Sequence, residues 1–247
     1  MLVLEARKLV QYRTAAGVLL LYVVLFFLYV LEGYKLNQPV GQAPELTYAF
    51  PVLWGRLAST GSLFSLLLVI LFLILTTDDF QYRIFRQQLI DGASYGKLLQ
   101  IKFFDALLLV VFALLTTGVI GLFYALRYGA NPVPMATSLL PVVFGAVQLV
   151  GFLSFALFIG VLVRKNGMAT LLFFLYIFLV EPLVRNRVPR NLASLLPSNI
   201  LFTLTPSPAV GITQLNMQAP LSVLPFALAY IGLFWAAAYL LLRKQDL

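Results

Sequence analysis

Long apolar runs separated by short polar stretches dominate the pattern of the chain between residues 15 and 242. Crossing the hydrocarbon core of a bilayer takes about 20 mostly apolar residues. The predicted spans are Ala15 to Leu31, about Leu57 to Leu75, about Phe103 to Leu126, about Leu139 to Val163, Met168 to about Leu183 and about Val223 to Leu242. The pattern therefore predicts an all-α integral membrane protein with one six-helix transmembrane domain over residues 1–247.

The segment before the first span, MLVLEARKLVQYRT at residues 1–14, has its own periodicity. Leu2, Ala6 and Leu9 fall on one helical face, whereas Glu5 and Lys8 fall on another. This pattern predicts an amphipathic helix that lies in the headgroup plane before the first span. The alternative is a positively charged flank whose periodicity is accidental.

A polar stretch, TTDDFQYRIFRQQLIDGASYGK at residues 76–97, interrupts two of the most apolar runs. Asp78 and Gln81 have the spacing of a capping box, which predicts a helix from Asp79 to about Ile90. Gly92 supplies a stop, and Ser94 caps the helix of the third span. The periodicity by itself favours an interfacial helix that binds lipid phosphates.

The composition agrees with a membrane protein and limits the chemistry. Hydrophobic residues make up 62% of the chain, and charged residues 11%, against about 25% in soluble domains. The net charge is +8, but Lys and Arg cluster at helix ends, so membrane lipid is the expected anionic partner and nucleic acid is not. The chain has no Cys and no His, which excludes thiolate chemistry, disulfides and histidine metal sites. We expect no metal and no cofactor in this chain.

The distribution of positive charge predicts the orientation. Of 17 Lys and Arg residues, most lie in the loops on the side of the N-terminus if that terminus is inside. The positive-inside rule therefore predicts that both termini are cytoplasmic. Arg185, Arg187 and Arg190, just after the fifth span, are the exception on the outer side.

Glu181 precedes Pro182 near the outer end of the fifth span, next to those three arginines. One interpretation is a kinked helix end with an ion pair, in which Arg185, Arg187 and Arg190 anchor the helix at lipid headgroups. The alternative is an outer gate that meets an anionic substrate as it leaves.

Two other features lie at the edges of spans. Asp105 falls in the first turn of the predicted third span, where a carboxylate suits the helix dipole, so we expect a structural role. The segment Asn191 to Pro220 is too broken by Pro to span and too apolar for a solvated loop. Short re-entrant helices on the outer side are expected there.

The ordered set of these segments resembles the permease subunit of bacterial type 2 ATP-binding-cassette (ABC) transporters. Besides residues 76–97, the resemblance rests on YRTAAGVLLLY at 12–22, FPVLW at 50–54, LSFALFIGVLVRKNG at 153–167 and FLVEPLV at 178–184. It covers nearly the whole chain and its six-span order. It implies that the N-terminal amphipathic helix is an elbow helix, and that residues 80–90 form a coupling helix docked on a separate ATPase.

The resemblance also implies specific partners. Arg83, Phe85, Arg86 and Gln87 would form the coupling contact with an ABC ATPase subunit. ATP and Mg would bind to that partner, because this chain has no phosphate loop of the form G-x-x-x-x-G-K-[ST] and is not expected to be an enzyme. A second permease copy or a related permease would complete the pathway, in a bacterial plasma (inner) membrane.

Two functions follow as alternatives. The first is the transmembrane half of an ATP-driven exporter, whose largely apolar spans suit a lipid, an amphipathic drug or a peptide-like substrate. The second is a non-transporting membrane scaffold or accessory subunit of a larger complex. An intramembrane enzyme is disfavoured because the chain offers no His, no Cys and no paired carboxylates at mid-membrane in the predicted spans.

Overall fold

A computed structural model describes residues 13–36, 52–127, 139–205 and 218–244. This part of the chain is all-α, without a strand. Its helices are α1 (Arg13–Leu36), α2 (Val52–Gln81), α3 (Ile84–Ile90), α4 (Tyr95–Arg127), α5 (Leu140–Val163), α6 (Asn166–Arg187), α7 (Arg190–Ala193), α8 (Pro197–Thr203) and α9 (Gln218–Lys244). The predicted N-terminal elbow helix lies almost entirely outside the described residues.

Within the described residues, six helices are long and apolar enough to cross a membrane, in agreement with the predicted number of spans. They are α1, α2, α4, α5, α6 and α9. Most extend beyond the apolar runs that predicted them. For example, α4 has 33 residues and begins at Tyr95 rather than at Phe103. Apolar length therefore locates a span, whereas the polar turns at either end continue the same helix.

The central pair of helices is α2 and α5. About two thirds of each apolar window is buried, 61% in α2 and 67% in α5, against 17% in α9. A Cβ placed at Gly145 would lie 3.7 Å from the Ala58 Cβ, and one at Gly160 would lie 3.2 Å from the Thr76 Cγ2. The two contacts occur in the same order along both helices, so α2 and α5 run parallel. The helices approach each other closely at these small residues.

Helix α4 packs against the beginning of α2 through Gly121. The Trp54 ring is fully buried there, and a Cβ on Gly121 would lie 2.6 Å and 2.9 Å from two of its ring atoms. Such distances are incompatible with an unmoved ring, and a buried ring has little room to shift. Gly121 is thus required for the approach of α2 and α4.

We expect Gly121→Ala to destabilise the protein by about 1–3 kcal/mol through overpacking, although Ala is the better helix former by about 1 kcal/mol. Gly118, one turn earlier in α4, provides the matched control, because nothing lies within 4 Å of a Cβ there. Gly118→Ala should be neutral or stabilising. Thermal unfolding in detergent checks both variants, and equal midpoints for the two would contradict the packing described for Trp54.

The outer surface of the bundle is strongly apolar. Large exposed side chains include Leu20, Leu115, Val119 and Leu171, each more than 60% exposed. In water such a surface would drive association. Lipid, or an apolar face of another chain, is the environment that this surface fits.

The short helices α7 and α8 pack against the bundle instead of extending away from it. Leu201 of α8 is buried against α5, where a Cβ on Gly151 would approach its Cδ2 to 2.2 Å. The Tyr230 hydroxyl of α9 donates a hydrogen bond to the Leu195 carbonyl oxygen at 2.8 Å. The predicted segment Asn191 to Pro220 thus contains short helices, and its residues 206–217 lie outside the described part.

Candidate functional site

The connection between α2 and α4 forms the most polar part of the described bundle. The predicted capping box at Asp78 is wrong, because α2 continues through Asp78 and Asp79 to Gln81. The chain then breaks at Arg83, whose φ of 57° lies in the left-handed region, and α3 begins at Ile84. The predicted helix from Asp79 to Ile90 is therefore two helices with a sharp turn between them. Asp79, the residue after the predicted cap, binds Lys102 of α4 through its carboxylate.

The end of α3 agrees with the sequence. The helix stops at Ile90, and Gly92 follows in a left-handed conformation with φ of 85°. Its N–H donates to the Leu89 carbonyl oxygen at 3.0 Å. The Ser94 hydroxyl oxygen accepts from the Lys97 N–H at 3.3 Å, which caps α4 as predicted. These contacts fix where α3 ends and α4 begins.

Phe85 anchors α3 to the bundle. Its side chain is only 3% exposed and meets the Phe80 ring edge-on, with centroids 4.6 Å apart. The Lys102 Nζ lies 5.8 Å from the Phe85 ring centroid. Arg86 and Gln87, the next two residues, are exposed, as is Arg83. Of the four predicted contact residues, Phe85 is thus an internal anchor, and the other three are exposed.

A buried charge cluster lies directly beneath this anchor. The Lys102 Nζ is 2.5 Å from an Asp79 carboxylate oxygen and 3.1 Å from an Asp105 carboxylate oxygen. It also donates to the Leu75 carbonyl oxygen at 3.1 Å. All three charged side chains are less than 10% exposed. We call Asp79, Lys102 and Asp105 the charged triad; it ties the end of α2 to the third and fourth turns of α4.

The triad corrects one expectation. Asp105 is not in the first turn of its helix, because α4 begins ten residues earlier at Tyr95. Asp79 lies two residues before the end of α2 at Gln81. The sequence contained a signal for one of the two ion pairs, because Lys102 and Asp105 have the i,i+3 spacing of a helical ion pair. The contact with Asp79, in another helix, had no such signal.

A cleft of about 200 Å³ opens beside the triad and under α3. Its walls come from the end of α2, from α3 and from the residue that follows α5. The lining residues are Asp79, Phe80, Arg83, Phe85, Arg86 and Arg164. The Arg164 guanidinium lies over the Phe80 ring, 5.4 Å from its centroid. No local sequence pattern indicates this role for Arg164, because its place beside Phe80 depends on the packing of α5 against α2.

Glu181, in α6, belongs to a separate group of contacts, and its side chain is 4% exposed. Its carboxylate accepts hydrogen bonds from the backbone N–H groups of Ser198 at 3.0 Å and Asn199 at 2.7 Å, at the start of α8. A π-helical turn, Tyr176–Val180, precedes Pro182 and lets α6 continue past it. Glu181 therefore caps α8, in place of the predicted ion pair with Arg185 or Arg187.

Arg185 and Arg187, in the last turn of α6, are not bound to Glu181, whose carboxylate caps α8. Arg185 and Arg187 are exposed, and the Arg185 Nη1 donates to the Asn199 side-chain oxygen at 3.4 Å. Arg190 begins α7. The contacts of Glu181 and Arg185 thus join α6 to α8.

A scan against protein-family models and a search of curated protein sequences found no significant match to the chain. The resemblance to type 2 permeases therefore stands on the quoted segments alone. What the fold adds is geometric: a short, anchored helix at one end of six membrane-crossing helices, with exposed basic and amide side chains next to a basic cleft.

Proposed function

We propose that this chain is the transmembrane permease subunit of an ATP-driven ABC exporter, which works with a separate ATPase subunit. In this proposal α3 is the coupling helix. Arg83, Arg86 and Gln87 contact the ATPase, and Phe85 connects the helix to the bundle.

The observation that carries the proposal is the way in which α3 is attached. Phe85 is buried against Phe80 and Lys102, and Lys102 is bound to carboxylates of both α2 and α4. A force applied to the exposed face of α3 is thereby applied to two membrane-crossing helices at once. A helix that only rested on lipid would not require this connection to the interior.

The remaining parts of the proposal concern the partners, the orientation in the membrane and the substrate. The partner ATPase binds ATP and Mg, and its conformational cycle moves α3. A second copy of this chain, or a related permease, packs on the exposed apolar surface to complete the pathway. Both termini lie on the cytoplasmic side of a bacterial inner membrane, α7 and α8 lie at the outer side, and the substrate is a lipid, an amphipathic drug or a peptide-like molecule.

The proposal is tested by isolating the tagged chain from its native membrane, identifying any ABC ATPase that co-purifies with it, and reconstituting the purified complex into vesicles. We expect a stable complex whose ATP hydrolysis rises in the presence of candidate amphipathic substrates. The ATPase subunit alone is the control. A complex that forms but neither hydrolyses ATP faster with any substrate nor transports one would favour the scaffold alternative.

A further inference from the structure

Two unusual backbone conformations occur at the same place in the structure. Among the described residues, Arg83 and Arg164 are the non-glycine residues with positive φ, at 57° and 58°. Arg83 follows the end of α2, and Arg164 follows the end of α5. Glycine adopts this conformation without strain, whereas a residue with a Cβ does so at a cost. Both arginines line the same cleft, together with Arg86.

The chemistry of the cleft favours a phosphate group. Three guanidinium side chains line it, and each presents several N–H donors in a planar arrangement that matches phosphate oxygens. The carboxylate in the cleft wall, Asp79, is already bound to the Lys102 ammonium. The cleft volume of about 200 Å³ is many times the roughly 15 Å³ that holds one water, so the cleft has room for a phosphate group.

We propose that the cleft lined by Arg83, Arg86 and Arg164 binds the phosphate group of an anionic phospholipid. A lipid fits better than free phosphate because the cleft lies between the ends of two membrane-crossing helices, α2 and α5. Exposed apolar side chains stand on both sides of the α5–α6 link, Leu162 at 50% and Met168 at 58% exposure. Basic pockets between transmembrane helices are a known way to hold anionic headgroups.

Lys165 provides a matched control for Arg164. The two residues are adjacent and carry the same charge, but Lys165 is exposed and does not line the cleft. Arg164→Gln and Lys165→Gln therefore reduce the net charge of the chain equally. Only the first removes a donor from the cleft. Arg164→Gly is a second variant, because glycine suits the left-handed conformation and should not lower the thermal midpoint.

The experiment titrates the full chain, purified in detergent, with phosphatidylglycerol, phosphatidylcholine or inorganic phosphate and counts bound molecules by native mass spectrometry. The wild-type chain and Lys165→Gln should bind phosphatidylglycerol with similar affinity and in preference to phosphatidylcholine. Arg164→Gln and Arg164→Gly should bind it about fivefold more weakly, the effect of one basic contact.

Three outcomes would overturn the proposal. An equal loss in Arg164→Gln and Lys165→Gln would indicate diffuse attraction to the surface. Inorganic phosphate that binds as tightly as the lipid would identify a site for free phosphate. Unchanged lipid binding by Arg164→Gln would show that the cleft does not hold the lipid phosphate. The inference does not depend on the proposed transport function, because the titration contains no ATPase.

Discussion

Replacing Lys102 by Met is expected to lower the free energy of unfolding by about 3–5 kcal/mol, because it leaves two buried carboxylates without their cation. Asp79 and Asp105 both bind the Lys102 Nζ, at 2.5 Å and 3.1 Å, and both side chains are less than 10% exposed. Met retains most of the volume of the Lys side chain, so the change isolates the charge. Chemical or thermal unfolding in detergent measures the loss.

The ranking of several variants by their free energy of unfolding tests the charged triad more stringently than the value for one variant. Asp105→Asn should cost less than Lys102→Met, because Lys102 keeps its shorter contact with Asp79. Lys97→Met, an exposed change in the first turn of the same helix, should stay within about 0.5 kcal/mol of the wild type. If Lys102→Met were as stable as Lys97→Met, the charged triad would not hold α2 to α4.

Reversing the charge of Arg86 is expected to weaken the complex with the ATPase strongly. Arg86 is exposed on α3, immediately after the anchored Phe85, and it also lines the cleft, so Arg86→Glu changes both surfaces but not the packing of Phe85. A repulsive pair at an interface costs about 2 kcal/mol or more, which corresponds to about a 30-fold loss of affinity. Co-purification and ATPase activity in vesicles measure the effect.

Two controls accompany that variant. Lys165→Glu makes the same charge change at the same end of the bundle, but outside α3 and outside the cleft, and should preserve the complex. Arg164→Gln, which alters the cleft but not α3, should also preserve it. An intact complex and normal hydrolysis in Arg86→Glu would remove Arg86 from the proposed docking surface.

The sequence predicted the spans well because apolar length is a local property. About 20 apolar residues are required wherever a helix crosses a bilayer, and α5 begins and ends within one residue of its predicted limits, at Leu140 and Val163. The stop at Gly92 and the cap at Ser94 were also predictable, because both depend on neighbouring residues.

The predictions that failed concern features that depend on contacts between helices. The sequence around Asp78 fits a capping box, but Asp79 is bound to Lys102 of another helix, and α2 continues instead. Arg83 ends that helix in a conformation that glycine normally adopts, so no residue type marked the break. Glu181 likewise caps α8, 17 residues further along the chain. Local patterns contain no information about such partners.

Site-directed cross-linking tests the central claim, that α3 docks on an ATPase, most directly. The chain has no Cys, so a single Cys can be placed at will, at Gln87 on the exposed face of α3 or at Leu115 on the exposed apolar surface of α4. With a short cross-linker and the co-expressed ABC ATPase, the Gln87→Cys chain should form a permease–ATPase adduct and the Leu115→Cys chain should not. An intact complex that cross-links at neither position, or only at Leu115→Cys, would contradict the account.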